Sequence, residues 1–229
     1  MSTYRELVYL ILDEAKGLSD DFTYTEDHLI FLLDKYRSFL LKQRYTDVKK
    51  SIPESNYQTL LLDLIPVPAI SGEPCEGGNY LKSIEKIPYL LTISNPKVTA
   101  VDYFQGEFNF VSRDRMKYVG NNKFLKNMIY TTIAPDRYLY FKSNNVNFIY
   151  LEKVKITGVF ENASTASKLD CNSSQNCELL DRIFPIEEGL IPPLIELTLK
   201  ELLGATYRPK DSENNSTDDL NELGKTTKK

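Results

Sequence analysis

The stretch that most constrains the fold is TYTEDHLIFLLDKYRSFLLKQRYTDVKK, residues 23–50, the longest uninterrupted helical signal in the chain. Leu29, Leu32, Leu33, Tyr36, Phe39, Leu40 and Gln43 recur at three- and four-residue steps, the spacing that gathers side chains on one face of a helix. Asp34, Lys35, Lys42 and Arg44 fall to the solvated side in this reading. Thr23 and Glu26 have the spacing of a capping box, with Thr25 as an alternative cap two residues later. From Glu26 to Val48 the helix would run on the order of 35 Å at about 1.5 Å per residue. A helix that spans a small domain and is apolar along one face needs partners on that face.

Two other segments have the period to supply them. In residues 3–16 Thr3 and Glu6 again have capping-box spacing, Leu7, Val8, Ile11 and Ala15 form a stripe, and Gly17 is placed to end the helix in a left-handed conformation. The short connection GLSDDFTY makes this segment and the long helix a helical hairpin. Residues 184–204, FPIEEGLIPPLIELTLKELLG, carry apolar side chains on two helical faces. Pro192 and Pro193 suit a first turn and Gly204 suits the position just past the end. A helix with two apolar faces packs inside a bundle, against both N-terminal helices.

Between these segments the period changes. YQTLLLDLI, residues 57–65, reads as a strand closed by Pro66 and Pro68. Residues 66–88, with four prolines and Gly72, Gly77 and Gly78, read as a long binding or assembly loop. Residues 88–94, 129–133 and 154–160 read as strands, and 138–142 as the partner of 129–133 in a hairpin across Ala134, Pro135, Asp136 and Arg137. SRDRMKYV reads as a helical turn capped by Ser112. The expectation is an α+β fold: a helical bundle from 1–56 and 183–206, an inserted and mostly antiparallel β-rich region at 57–182, and a flexible tail at 207–229. The tail has almost no apolar content. Within it Thr217, Asp218, Asp219, Leu220, Leu223 and Gly224 spell one capped turn with two apolar residues on one side.

Several chemistries find no residues to carry them. The single histidine, His28, lies in the first turn of the long helix among acidic neighbours, where it reads as a surface residue. No phosphate-binding GxxxxGK[ST] loop occurs, because CEGGN at Cys75 lacks the following lysine. Cys75, Cys171 and Cys177 read as reduced thiols, with Cys171 and Cys177 able to pair under oxidation, and they lack the second ligand pair that zinc needs. Neither a catalytic constellation nor a cofactor site can be named, so the chain reads as non-enzymatic. No apolar run approaches the roughly 18–20 residues of a membrane span. A net charge of −4 argues against a surface that grips nucleic acid throughout. Only Arg113, Arg115 and Lys117 interleave with aromatics, namely Tyr103, Phe104, Phe108, Phe110 and Tyr118, in a pattern that suits a nucleic-acid strand. Fifteen Tyr with no Trp suit half-buried strands and subunit contacts alike.

Three blocks, RELVYLILDEAKGLSDDFTYTEDHLIFLLDKYRSFLLKQRY, VSRDRMKYVGNNKFLKNMIYTTIAPDRYLYFKS and FPIEEGLIPPLIELTLKELLGATYRPKD, resemble in order and spacing the ring, or head-to-tail connector, protein of crAss-like tailed bacteriophages. The architecture is similar to that of the adaptors beneath the portal of short-tailed phages. The resemblance implies a virion structural protein, made in the host cytoplasm, of which twelve copies form a ring on the portal. It implies the portal and further tail rings as partners, and double-stranded DNA passing through the lumen without sequence-specific contact. Candidate assembly contacts are Cys75, Gly77 and Gly78 in the loop and Thr217, Leu220 and Leu223 in the tail. A nucleic-acid-binding module built on Arg113, Arg115 and Lys117 is the alternative.

Overall fold

Thr3 and Glu6 form the reciprocal pair their spacing predicts: the Thr3 amide donates to the Glu6 carboxylate at 2.9 Å and the Glu6 amide to the Thr3 hydroxyl at 3.2 Å. The helix they start, α1 (Tyr4–Leu18), is the first element of a computed structural model. The structure describes residues 2–18, 24–47, 50–70, 80–93, 95–101, 106–120, 123–125, 127–169 and 178–205. Gly17 lies inside α1 without a positive φ, so the expected left-handed cap does not form. The long helix, α2, spans Glu26–Tyr45 with Thr25 at its N-cap, three residues shorter than Val48 would have made it. Thr23 lies outside the described residues. The third helix, α5 (Ile191–Ala205), has Pro192 and Pro193 in its first turn, as expected, and takes Gly204 into its last.

These three helices share one apolar core that includes Leu7, Val8 and Ile11 of α1, Leu29, Leu33 and Leu41 of α2, and Leu194 and Leu202 of α5. Helices of 15 residues are marginal alone in water, whereas each fully buried leucine contributes roughly 1.5–3 kcal/mol. Their mutual packing therefore decides whether they form. The N-terminus is tied in by backbone as well. The Tyr4 amide donates to the Arg182 carbonyl at 3.0 Å, the Phe184 amide to the Ser2 carbonyl at 2.9 Å, and the Tyr4 and Phe184 rings meet edge to face at 4.9 Å.

Seven strands lie between α2 and α5: β1 (Gln58–Val67), β2 (Tyr80–Ser83), β3 (Lys97–Ala100), β4 (Asn109–Phe110), β5 (Tyr130–Ile133), β6 (Leu139–Lys142) and β7 (Lys153–Gly158). Their order is β3-β7-β1-β2-β6-β5-β4, antiparallel except where β4 runs parallel to β5. The two ends of this order also meet. Thr99 of β3 bridges Glu107, and the Phe108 amide donates to the Val98 carbonyl at 2.8 Å, so the sheet closes on itself as a small barrel. Alternation along the strands fills it. Leu60 and Leu62, Val154 and Ile156, Val98, Leu81, and Leu139 and Phe141 all point into one core, with Phe108 edge-on to Phe141 at 5.8 Å. On the outer face of β2, β5 and β6, Tyr80, Tyr130 and Tyr140 pack with Met116 of the short helix α3 (Arg113–Met116) in a second layer. The tyrosines thus take the half-buried strand positions that suit them.

Some sequence expectations are corrected here. Residues 66–88 are not one long loop, because β1 continues to Val67 and β2 begins at Tyr80. Pro66 is tolerated because the Leu64 amide already turns to the Glu152 carbonyl; two residues on, the proline nitrogen faces the same side, beyond the start of β7. Residues 88–94 make a single bridge, Leu90 to Phe160, in place of a strand. The hairpin of β5 and β6 does form. Ala134 and Tyr138 bracket a three-residue loop in which Arg137 adopts φ 66°, a position usually given to glycine. Ser112 stands at the N-cap of α3 without a side-chain capping bond. The described residues of 161–182 form a short helix, α4 (Ala163–Leu169), whose Ala166 reaches the barrel core, and a 3-10 turn at Leu179–Asp181.

Candidate assembly surfaces

The two layers are fixed to each other through α2. Arg37 is fully buried, and its guanidinium donates to three backbone carbonyls: Pro185 at 2.6 Å, Phe160 at 2.8 Å and Asn56 at 3.1 Å. These lie just before α5, just after β7 and just before β1. One side chain thus ties together three segments that run between the helices and the barrel. Burial lowers its pKa to about 10, against the attraction of nearby Asp34. Asp34, one turn earlier, is buried too and accepts from the Ser164 amide at 3.1 Å and from the Ser164 hydroxyl. Burial pushes its carboxyl up, and the Ser164 bonds oppose that shift. The sequence reading put Asp34 on the solvated side. It is buried because α4 packs on that side of α2 and offers Ser164 as a partner.

Packing on several sides leaves α2 a single exposed stripe. His28, Phe31, Lys35, Phe39 and Lys42 follow steps of three and four and are all exposed, Phe31 by 63% and Phe39 by 54%. Phe39 and Gln43, expected on the buried face, are both at the surface, since Asp34, Arg37 and Leu41 shift the buried arc away from them. Lys35 pairs with Glu201 at 2.7 Å and Lys42 with Glu161 at 2.9 Å, both in solvent. Glu201 also accepts from the Tyr36 hydroxyl, which pushes the Tyr36 pKa up to about 12; Lys35 above all, with Tyr36, holds the Glu201 carboxyl low. The Lys35 contact sets the last turns of α5 beside this stripe. His28, exposed as expected, stacks on Tyr24 with ring centroids 5.2 Å apart.

A second exposed apolar group lies at the barrel end away from the helices. Tyr118 is 70% exposed, Phe124 91% and Tyr150 72%, with Met128 and Ile149 also at the surface. Arg115 and Lys117 are exposed here, and the Lys117 ammonium stands 5.1 Å from the centre of the Tyr118 ring. Arg113 is half-buried. The interleaving seen in the sequence only partly survives folding, because Phe108 points into the barrel, while Tyr103 and Phe104 lie outside the described residues. Cys75, Gly77, Gly78, Cys171, Cys177, Thr217, Leu220 and Leu223 also lie outside them. Among the described residues no three His, Cys, Asp or Glu side chains gather as metal ligands, and no helix is long and apolar enough to cross a membrane. The α2 stripe was missed by sequence reasoning. Its signal is the i, i+4, i+8 register of Phe31, Lys35 and Phe39, which alternates apolar and basic residues as a buried face would not.

The chain is similar to Ring protein 2 of Bacteroides phage crAss001, 59% identical over 220 residues that cover 95% of this chain and 98% of that protein. The family model for phage tail ring protein 2 matches residues 6–220, from the first turn of α1 through both layers and beyond the end of α5. The chain belongs to the phage tail ring protein 2 family.

Proposed function

We propose that this chain is a non-enzymatic component of the virion that assembles, in about twelve copies, into a ring beneath the portal, joins capsid to tail and extends the channel for double-stranded DNA. The observation that carries this reading is the near full-length identity to a protein named for its ring. The structure is compatible with the role in physical terms. A closed ring of identical subunits needs unlike surfaces that meet head to tail, and the exposed α2 stripe and the exposed far end of the barrel are unlike surfaces available for contacts of that kind. A lumen through which DNA slides is better served by a chain of net charge −4 than by a basic one. In this reading the helical part (1–56 with 183–206) and the β-rich part (57–182) act as one rigid spacer. Cys75, Gly77 and Gly78, with Thr217, Leu220 and Leu223 in the 207–229 tail, make contacts that order on assembly. Partners are further copies, the portal and the next tail ring, and synthesis takes place in the host cytoplasm.

Sedimentation velocity on the full chain, alone and mixed with portal complexes at low and moderate salt, tests the proposal. A discrete high-order species, or stoichiometric addition to the portal, is expected, and removal of residues 207–229 should weaken it while leaving the fold intact. A monomer under every condition with no portal binding would overturn it. The second reading, a nucleic-acid module, draws on the exposed Arg115 and Lys117 beside Tyr118 and Phe124. It requires salt-dependent binding of a short single strand that an Arg115→Glu variant loses.

A further inference from the structure

The α2 stripe presents two phenyl rings to water on a helix that is otherwise held by its neighbours. Phe31 and Phe39 stand eight residues apart on one line, roughly 12 Å at helical rise, with Lys35 between them and Lys42 just beyond. Both lysines already pair with carboxylates, but these ion pairs are about half exposed. Pairs of that kind hold their partners weakly, so an incoming carboxylate can share them. The stripe therefore suits a short segment with two apolar residues flanked by acids. The chain contains one: Thr217–Leu223, TDDLNEL, with Leu220 and Leu223 set among Asp218, Asp219 and Glu222.

Chain length lets a neighbouring copy receive it. Residues 206–216 separate this segment from the end of α5, and at about 3.3 Å each they reach on the order of 36 Å. That is about twice the radius of gyration of roughly 17 Å expected for a chain of this length, so the segment can leave its own copy and reach the next one. We propose that the acidic and apolar run Thr217–Leu223 of one copy docks along the Phe31, Lys35, Phe39 and Lys42 stripe of the next copy around the ring. This inference rests on the ring reading above and specifies one of its contacts. Donor tail and acceptor stripe are unlike surfaces, as a head-to-tail contact requires, and each copy has one of each.

Hydrogen–deuterium exchange on the full-length chain, dilute and assembled, reads the docking directly. Amides of residues 217–223 are expected to exchange at least tenfold more slowly in the assembled state than in the dilute monomer. Phe31→Asp with Phe39→Asp on the stripe, or Leu220→Asp with Leu223→Asp in the tail, should restore fast exchange and raise the assembly midpoint at least tenfold. The tail pair leaves both described cores untouched, so it remains informative even if the stripe pair perturbs folding. A one-to-one mixture of the two double variants retains one intact tail and one intact stripe, and should give heterodimers by sedimentation. Undiminished assembly of both variants, or tail amides that exchange freely in assembled rings, would overturn the docking and leave the ring reading standing. Protection already complete in the dilute monomer would assign the segment to its own copy and overturn the contact between copies. Failure of the unaltered chain to assemble, with or without portal, would sink the ring reading itself.

Discussion

Arg37 of α2 donates from Nη2 to the backbone carbonyl of Asn56 at 3.1 Å, while the side-chain oxygen of Asn56 accepts from the Glu187 amide at 3.0 Å. The two residues thus join the start of the barrel to the segment leading into α5. With Phe160 and Pro185 on its other nitrogens, Arg37 is the point at which the two layers are registered. Removing it strands three carbonyls in a dry joint. Arg37→Ala is expected to lower stability by about 3–5 kcal/mol, and Arg37→Met, which keeps the volume without the donors, by more than about 2 kcal/mol. Urea unfolding of purified variants measures both. A methionine variant as stable as the parent would show that the fork of hydrogen bonds adds nothing to packing.

Asp34 predicts a pH dependence of definite sign. Its carboxyl is raised above the ordinary 3.8 by burial, so the folded state binds that proton more tightly than the unfolded chain does. The resulting stabilisation is complete below the ordinary value and is lost as pH rises through the raised one. Asp34→Asn keeps an oxygen for Ser164 without a charge. The stability of the parent relative to this variant should therefore fall as pH is raised from the ordinary value of 3.8 to the raised one, by at most about 1.4 kcal/mol per pH unit, and level off above it. Unfolding curves at a series of pH values test this, and parallel profiles would remove Asp34 from the account.

The capping box at the first helix makes a smaller, cleaner prediction. Thr3→Ala deletes the hydroxyl that receives the Glu6 amide and should cost about 1 kcal/mol. Thr3→Ser should cost only a few tenths. Equal losses for both would place the effect in the bridge between Thr3 and Ile183 instead.

Gly158, at the end of β7, lies directly against the tip of the Leu90 side chain. A Cβ built there would stand 2.7 Å from Leu90 Cδ2, the tip of the residue that bridges to Phe160. Gly158→Val should cost about 1–3 kcal/mol through overpacking. Combining it with Leu90→Ala should recover at least about 0.5 kcal/mol relative to the sum of the two single changes. Strict additivity in the double-mutant cycle would contradict the contact.

Local rules made much of this fold readable in advance. The period of α1, the prolines of α5 and the hairpin at Pro135 each act within a few residues, and each formed where the sequence placed it. What escaped was decided over long range. Thr99 and Glu107 lie only eight residues apart, but their bridge closes a barrel only because five other strands, drawn from the whole β-rich region, complete the order between β3 and β4, and neither residue carries a pattern of its own. Asp34 reads as a solvated helix residue until Ser164 is brought to it, and nothing local marks Arg37 as buried before the carbonyls of Asn56, Phe160 and Pro185 converge on it. The same packing turned Phe39 outward. Of the proposed contact surfaces, the basic cluster on α3 was visible as composition, whereas the α2 stripe became visible only once its buried arc was known.

The helical core is completed by α5, the last element among the described residues, which joins Leu7, Leu29 and Leu33 in one core only after all the described strands have been made. During synthesis, a nascent chain that stalls before residue 191 keeps those leucines bare, and Arg37 lacks the Pro185 carbonyl whenever the stall precedes it. The helical layer that carries the α2 stripe therefore cannot close before α5 has been made, and a product truncated ahead of residue 191 lacks the helix that completes its core.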